Sequence, residues 1–130
     1  HVFTSNRLEG WGAVVNEAMN SGCAEVASAA AGAVPYLIRQ GVNGIAYPED
    51  DFMQMAQAVL LLACNDGKRK EMGRKAMETI TGAWNAEHAA GELLRFSEEL
   101  LTGEPEGADD GPLSPAPVIS ERRMYSWMCQ

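Results

Sequence analysis

The first fifty residues alternate short apolar or β-branched runs with helix-forming segments, and turn residues separate the two kinds of segment. Val2 and Phe3 open the first apolar run, and the helix-forming segment that follows ends at Gly22, a residue type common at helix C-termini. An Asn43-Gly44 turn precedes the last of the apolar runs. The predicted elements are strands over 2–4, 25–28 and 44–47 and helices over 13–21 and 34–40.

Helical periodicity dominates from residue 52 onward. Apolar residues recur at spacings of three and four, and Asp50 or Asp51 and Asn85 are available as N-caps. The three predicted stripes are Phe52, Met55, Ala56, Val59 and Leu62; Met72, Ala76 and Ile80; and Ala86, Ala89, Ala90, Leu93, Phe96 and Leu100. On the last helix, the side chains expected to face solvent are Glu87, Glu92, Glu98 and Glu99.

Strands that alternate with helices imply right-handed β-α-β crossovers and a parallel sheet. We therefore predict an α/β fold with about three parallel strands and flanking helices. Glu25 lies in the second strand, where a carboxylate is shielded from water. It must therefore be paired, protonated or placed at the end of the sheet.

Composition changes near residue 102, and the chain is divided there into two parts. Residues 1–101 carry the predicted strands and helices, whereas 102–130 are rich in Pro, Gly and acidic residues that oppose regular structure. We predict that the second part is a flexible tail. Its apolar residues Met124, Tyr125 and Trp127 form a candidate docking plug.

Composition excludes several classes of function. At 130 residues the chain corresponds to at most one domain, with 46% hydrophobic and 22% charged residues as in ordinary globular proteins. A formal net charge of −8 argues against nucleic acid as a partner, because Lys and Arg supply most of that affinity. The three cysteines form no C-x-x-C pair, so we expect neither a zinc site nor a disulfide framework. No apolar run is long enough to span a bilayer.

The candidate chemistry lies in the turn between the first strand and the first helix. Gly10 and Gly12 let a ligand approach the backbone at the carboxyl end of a strand, and the N–H groups at the helix start favour phosphate oxygens. Glu9 and Glu17 flank this turn. Glu9 is a candidate to face the reacting end of a ligand, and Glu17 is a candidate to accept hydrogen bonds from a vicinal diol. The alternative is that both are solvated carboxylates without a ligand. Only Arg7 is a nearby cation, so a diphosphate would need further groups.

The run EGWGAVVNEAMNSG, with VAS, GAVPYLI, GVNGIAYPEDD and WNAEHAAGELLRF, resembles the distal half of the C-terminal donor-binding domain of retaining GT-B glycosyltransferases. These are the group 1 or family 4 type with the E-x7-E motif, and the resemblance covers residues 1–101. It implies a partial Rossmann-like sheet. It also implies that Glu9 is catalytic at the donor sugar and that Glu17 binds the ribose hydroxyls. The other implied donor-binding residues are Gly10, Trp11 and Gly12 at the sugar and Ala13 and Val14 at the diphosphate.

The resemblance implies that the parent protein transfers a hexosyl group from a nucleotide-sugar to an acceptor hydroxyl with retention of configuration. It further implies an upstream N-terminal lobe and a saccharide or lipid acceptor, with a peripheral position at the inner membrane face if the acceptor is a lipid. The odd, scattered cysteines indicate reduced thiols and a cytoplasmic location. No metal ion or other cofactor is expected, and the 130-residue chain alone is expected to be inactive. The alternative is a non-catalytic nucleotide-binding or interaction module, which is favoured by Glu25 at a position where the family normally has a buried Val.

Overall fold

Three strands form a parallel sheet in the described part of the chain, which comprises residues 1–103 and 105–115 of the computed structural model. In spatial order they are β1 (Val2–Phe3), β2 (Glu25–Ser28) and β3 (Gly44–Tyr47). The helices are α1 (Ala13–Asn20), α2 (Val34–Leu37), α3 (Phe52–Ala63), α4 (Asp66–Gly82) and α5 (Ala86–Thr102). The prediction of an α/β fold with three parallel strands and flanking helices is confirmed.

The register of the sheet separates two apolar layers. Ala27 pairs with Ala46, and both belong to a core that α1, α2 and α4 cover. Val26 pairs with Ile45, and both contribute to a second core beneath α3. Since successive strand residues point to opposite faces, every residue of β2 is buried.

A glycine allows α4 to pack closely against the end of α1. A Cβ atom at Gly73 would lie 2.1 Å from the carbonyl oxygen of Gly22. The helix that carries the candidate site therefore rests on α4 through direct contact of the two backbones.

Glu25 is fully buried at the start of β2, and His1 pairs with it. The imidazole Nδ1 of His1 lies 2.8 Å from Oε1 and 3.0 Å from Oε2 of the carboxyl group. Burial raises the pKa of Glu25 to about 7. Of the predicted possibilities, the structure thus has a paired carboxyl group at the amino-terminal end of its strand.

The second helix is shorter than the predicted segment over 34–40. It ends at Leu37, and Ile38 already has an extended backbone. The reason is the side chain of Asn43, which donates a hydrogen bond to the carbonyl oxygen of Leu37 and accepts one from the amide of Arg39. These bonds satisfy backbone groups that another helical turn would otherwise have used.

The predicted solvent face of α5 is wrong in part. Leu93 and Leu100 are 56% and 57% exposed, whereas Glu92 and Glu99 are half-buried. No residue of α5 is buried, because no other described element packs extensively against this helix, and Arg95 forms ion pairs with both glutamates. Of the two candidate N-caps of α3, the structure selects Asp51, and the predicted N-cap Asn85 is confirmed, since each side chain accepts a backbone hydrogen bond.

The chain folds back along α5 after the helix ends. The amide of Glu106 donates to the carboxylate of Glu99, and its carbonyl oxygen accepts from Arg95. Farther along, Asp110 pairs with Arg39. Met124, Tyr125 and Trp127, the predicted plug, lie outside the described residues.

Candidate functional site

The turn after β1 lies beside the turn after β2 at the carboxyl end of the sheet. The amide of Gly32 donates to the carbonyl oxygen of Gly10 at 3.0 Å, and the amide of Ala33 donates to that of Trp11 at 2.8 Å. A Cβ atom at position 32 would lie 2.2 Å from the oxygen of Gly10, so this approach requires glycine. The second turn therefore fixes the backbone of the first.

Gly12 is the N-cap of α1 and has a left-handed backbone, with φ 84° and ψ 56°. Its missing side chain also makes room, because a Cβ atom there would lie 3.3 Å from Cε1 of Phe3. A non-glycine residue would be strained at this backbone geometry. Gly12 thus redirects the chain so that α1 starts directly from the turn.

The backbone from Gly10 to Val14 has unpartnered donors, and all of these residues are exposed except Gly12, which is buried. Five successive N–H groups, those of residues 10–14, have no hydrogen-bond partner among the described residues. The carbonyl oxygens of Gly10 and Trp11 accept bonds from the neighbouring turn, and that of Gly12 accepts from Val15 at 2.9 Å. α1 has no acidic residue in its first turn and no side-chain cap, so its partial positive charge is not neutralised there. Such a surface suits a ligand rich in oxygen atoms.

The two glutamates have different surroundings. Glu9 is half-buried, its amide donates to the carbonyl oxygen of Asn6 at 3.0 Å, and Ser5 Oγ donates to its Oε2 at 3.4 Å. Glu17 lies on the second turn of α1, is exposed, and its carboxylate makes no hydrogen bond to any described residue. The turn and the helix start therefore carry all the predicted site residues, with one carboxylate held by a neighbour and the other open to a ligand.

Trp11 belongs to an aromatic cluster that the sequence did not predict. Its ring is stacked on Tyr36 with centroids 5.9 Å apart, and it lies 5.8 Å from the ring of Trp84. Its indole Nε1 donates to Oδ1 of Asn16 at 2.8 Å. We define Trp11, Tyr36 and Trp84 as the aromatic cluster. Its members come from three separate parts of the chain. The sequence shows that each is aromatic, but it does not show that the three rings meet.

Gly32, Asn16 and Ser5 were also missed as parts of the site. The signal for Gly32 was its place just before a short helix, where turn residues are common. Asn16 stands inside a helix although Asn is a poor helix former, which is a weak indication of a side-chain role.

Arg7 is the cation that precedes the turn, and its backbone amide donates to Oε1 of Glu49 at 3.2 Å. Arg39 and Lys75 line a separate cavity of about 370 Å³, and no residue of 4–17 contributes to its wall. Within 1–103 and 105–115, no three His, Cys, Asp or Glu side chains are grouped to hold a metal ion. None of the helices described combines the length and apolar character needed to cross a bilayer.

Comparison with known proteins finds a family and two similar structures. The model of the family described as glycosyl transferases group 1 matches residues 1–79. A solved C-terminal domain of a group 1 family glycosyl transferase (LpcC) from Francisella tularensis is 30% identical, with a TM-score of 0.53. The match covers 56% of this chain and 37% of that one. The comparison with curated proteins finds no match.

The second structure is sucrose-phosphate synthase (tll1590) from Thermosynechococcus elongatus. It is 22% identical, with a TM-score of 0.61, and the match covers 72% of this chain and 23% of that one. At this identity the likeness concerns the fold. The chain thus spans well under half the length of either solved chain, and its fold is similar to C-terminal domains of GT-B glycosyltransferases.

Proposed function

Because the chain belongs to the group 1 glycosyl transferases, we propose that it forms the distal part of a C-terminal, donor-binding lobe in a retaining, nucleotide-sugar-dependent enzyme. The observation that carries the proposal is the row of five unpartnered N–H groups over residues 10–14. Hydroxyl and phosphate oxygens accept hydrogen bonds from such donors, and a helix start adds a favourable partial charge.

The donor is arranged along this row. The backbone of Gly10, Trp11 and Gly12 meets the sugar hydroxyls, and the amides of Ala13 and Val14 meet the diphosphate. The exposed carboxylate of Glu17 accepts hydrogen bonds from the ribose hydroxyls. The resemblance stated above supplies these roles, and the free N–H groups and the exposure of Glu17 support them.

Glu9 stabilises the reacting centre. When the bond between the anomeric carbon and the diphosphate oxygen breaks, its electron pair leaves with the diphosphate and positive charge develops on the sugar. A carboxylate near that charge is worth more in the transition state than in the ground state, which is the condition for catalysis. The acceptor hydroxyl then bonds to the anomeric carbon with retention, and its proton passes to the leaving phosphate oxygen.

The diphosphate cations and the acceptor site are proposed to lie outside this chain. Helix-end charge contributes about 0.3–1 kcal/mol at an exposed site, too little to hold a diphosphate without cations. In this proposal an upstream segment supplies those cations, an upstream N-terminal lobe supplies the saccharide or lipid acceptor site, and the 130-residue chain alone is inactive. We propose hexosyl transfer without a metal ion or other cofactor and without a nucleic-acid partner, in the cytoplasm or at the inner membrane face.

The test is a transfer assay with the full-length protein and a set of nucleotide-sugars. Glu9→Gln and Glu17→Ala should each lower kcat/KM by about 100-fold or more, the scale expected when one preorganised electrostatic group is lost. Glu98→Gln, on the exposed face of α5, is the matched control and should stay within about twofold. If both site variants retain wild-type transfer, the assignment fails. Donor binding without transfer would instead indicate the non-catalytic module.

A further inference from the structure

The indole of Trp11 is held on its edge and on its face. Its Nε1 donates to Oδ1 of Asn16 at 2.8 Å, while Tyr36 stacks on the ring with an interplanar angle of 25°. Trp84 closes the cluster, with centroids 5.8 Å from Trp11 and 6.3 Å from Tyr36. The indole N–H of Trp84 is buried without a hydrogen-bond partner among the described residues, so this side chain is placed by packing against the other rings and the core.

The backbone of Trp11 is held as firmly as its side chain. Its carbonyl oxygen accepts a hydrogen bond from the amide of Ala33 at 2.8 Å. The side chain of Trp11 is hydrogen-bonded to α1 and its carbonyl group to the turn after β2, so the peptide planes on either side of Trp11 have little freedom to rotate. The N–H groups of Trp11 and Gly12 therefore have one defined direction.

Asn16 joins two halves of the donor surface. The turn over 10–12 and the first turn of α1 meet at Gly12, whose left-handed backbone is a natural point of rotation. The hydrogen bond from Trp11 to Asn16 spans this point, linking a residue before it to one after it. Asn lowers helix propensity inside α1, and this is the hydrogen bond that its side chain makes within the described residues.

We propose that Asn16 is a positioning residue for sugar transfer: through the indole of Trp11, it fixes the direction of the N–H groups of Trp11 and Gly12 relative to those of residues 13–14. The inference rests on the proposed function. Asn16 makes no contact with the substrate in this account. Loss of the bond leaves the nucleotide contacts in place and disturbs the alignment of the sugar, so kcat falls more than the donor KM rises.

The experiment uses the full-length enzyme with Asn16→Ala, with Trp11→Phe, which keeps a ring on Tyr36 but removes the indole N–H, and with both changes together. Each single variant should lower kcat by about 3- to 10-fold, the scale of one lost hydrogen bond, with KM for the donor within twofold. The double variant should be no slower than either single variant, because both remove the same interaction. Asn20→Ala, an exposed residue on the same helix, should match the wild type.

A second readout follows the bond itself. The indole N–H signal of Trp11, identified by its absence in Trp11→Phe, should exchange with solvent faster in Asn16→Ala than in the wild type. If that signal changes while kcat stays within twofold, the inference is overturned. It is also overturned if the two losses multiply, or if Asn16→Ala lowers only the melting temperature. A wild-type enzyme without transfer activity refutes the proposed function. That result comes from the wild type alone, so it is distinct from a failure of the inference, which only the variants can show.

Discussion

The amide of Gly32 donates to the carbonyl oxygen of Gly10 at 3.0 Å, where a Cβ atom on Gly32 would lie 2.2 Å from that oxygen. Two successive β-α turns of the sheet thus touch through their backbones, with no side chain between them. Because this contact occupies the carbonyl group of Gly10, the candidate donor turn is left with N–H groups for a ligand. The geometry of the site therefore depends on a residue outside the motif.

Gly32→Ala should displace the donor turn. The added methyl group forces the backbones apart, and a displacement near 1 Å at a reacting centre costs up to about 100-fold in rate. We expect transfer by the full-length enzyme to fall about 10- to 100-fold. Gly91→Ala is the control, since a Cβ atom there meets nothing within 4 Å. Wild-type rates for Gly32→Ala would show that the contact between the turns does not set the site.

The burial of Glu25 predicts a pH-dependent stability. Its pKa rises from 4.5 to about 7 in the folded chain, so folding favours the protonated form. The contribution of this group to the free energy of unfolding is complete below about pH 4.5 and is lost as the pH rises through 7. At 1.36 kcal/mol per pKa unit, the total is about 3 kcal/mol.

Urea unfolding between pH 4.5 and 7.5 measures this change. Glu25→Gln should remove the fall in unfolding free energy, whereas Glu98→Gln should retain it. Hydrogen bonds from Arg74 and Arg95 lower the pKa values of Glu71 and Glu92 below 4.5. Their protonation therefore changes the unfolding free energy mainly at pH values below the measured range. An equal fall in wild type and Glu25→Gln would locate the titrating group elsewhere.

The ion pairs of Arg95 should anchor the returning segment over 105–111. This side chain pairs with Glu92 and Glu99 and donates to the carbonyl oxygen of Glu106. Arg95→Gln removes the charge, and amide hydrogen exchange at Glu106 should become a few-fold faster. Arg74→Gln breaks an equivalent pair of exposed contacts on α4 and should leave that amide unchanged. Unaltered exchange in Arg95→Gln would mean that other contacts hold the segment.

Local patterns predicted most of the elements, because their causes are local. The strands Glu25–Ser28 and Gly44–Tyr47 match the predicted ranges, since turn residues bound them closely in sequence. The end of α2 was misplaced because the side chain of Asn43 takes the carbonyl group of Leu37 from beyond the helix. The solvent face of α5 was misjudged because no other described element packs extensively against this helix, so its apolar stripe stays exposed.

The site was predictable where it is continuous in sequence. The residues from Glu9 to Glu17 follow one strand, and both the strand-turn-helix argument and the family resemblance apply to them. Gly32, Tyr36 and Trp84 reach the same turn from 21, 25 and 73 positions beyond Trp11. Their roles depend on how the turns and helices meet in space, which periodicity does not specify.

The central claim is that the turn and helix start over residues 10–17 bind a nucleotide-sugar. The most direct measurement is a titration of the isotope-labelled full-length protein with nucleoside diphosphate sugars, following backbone amide shifts. We expect saturable shifts centred on the unpartnered N–H groups from Gly10 to Val14, with Gly91 unchanged. Saturable binding that shifts amides elsewhere and leaves residues 10–17 unmoved would contradict it.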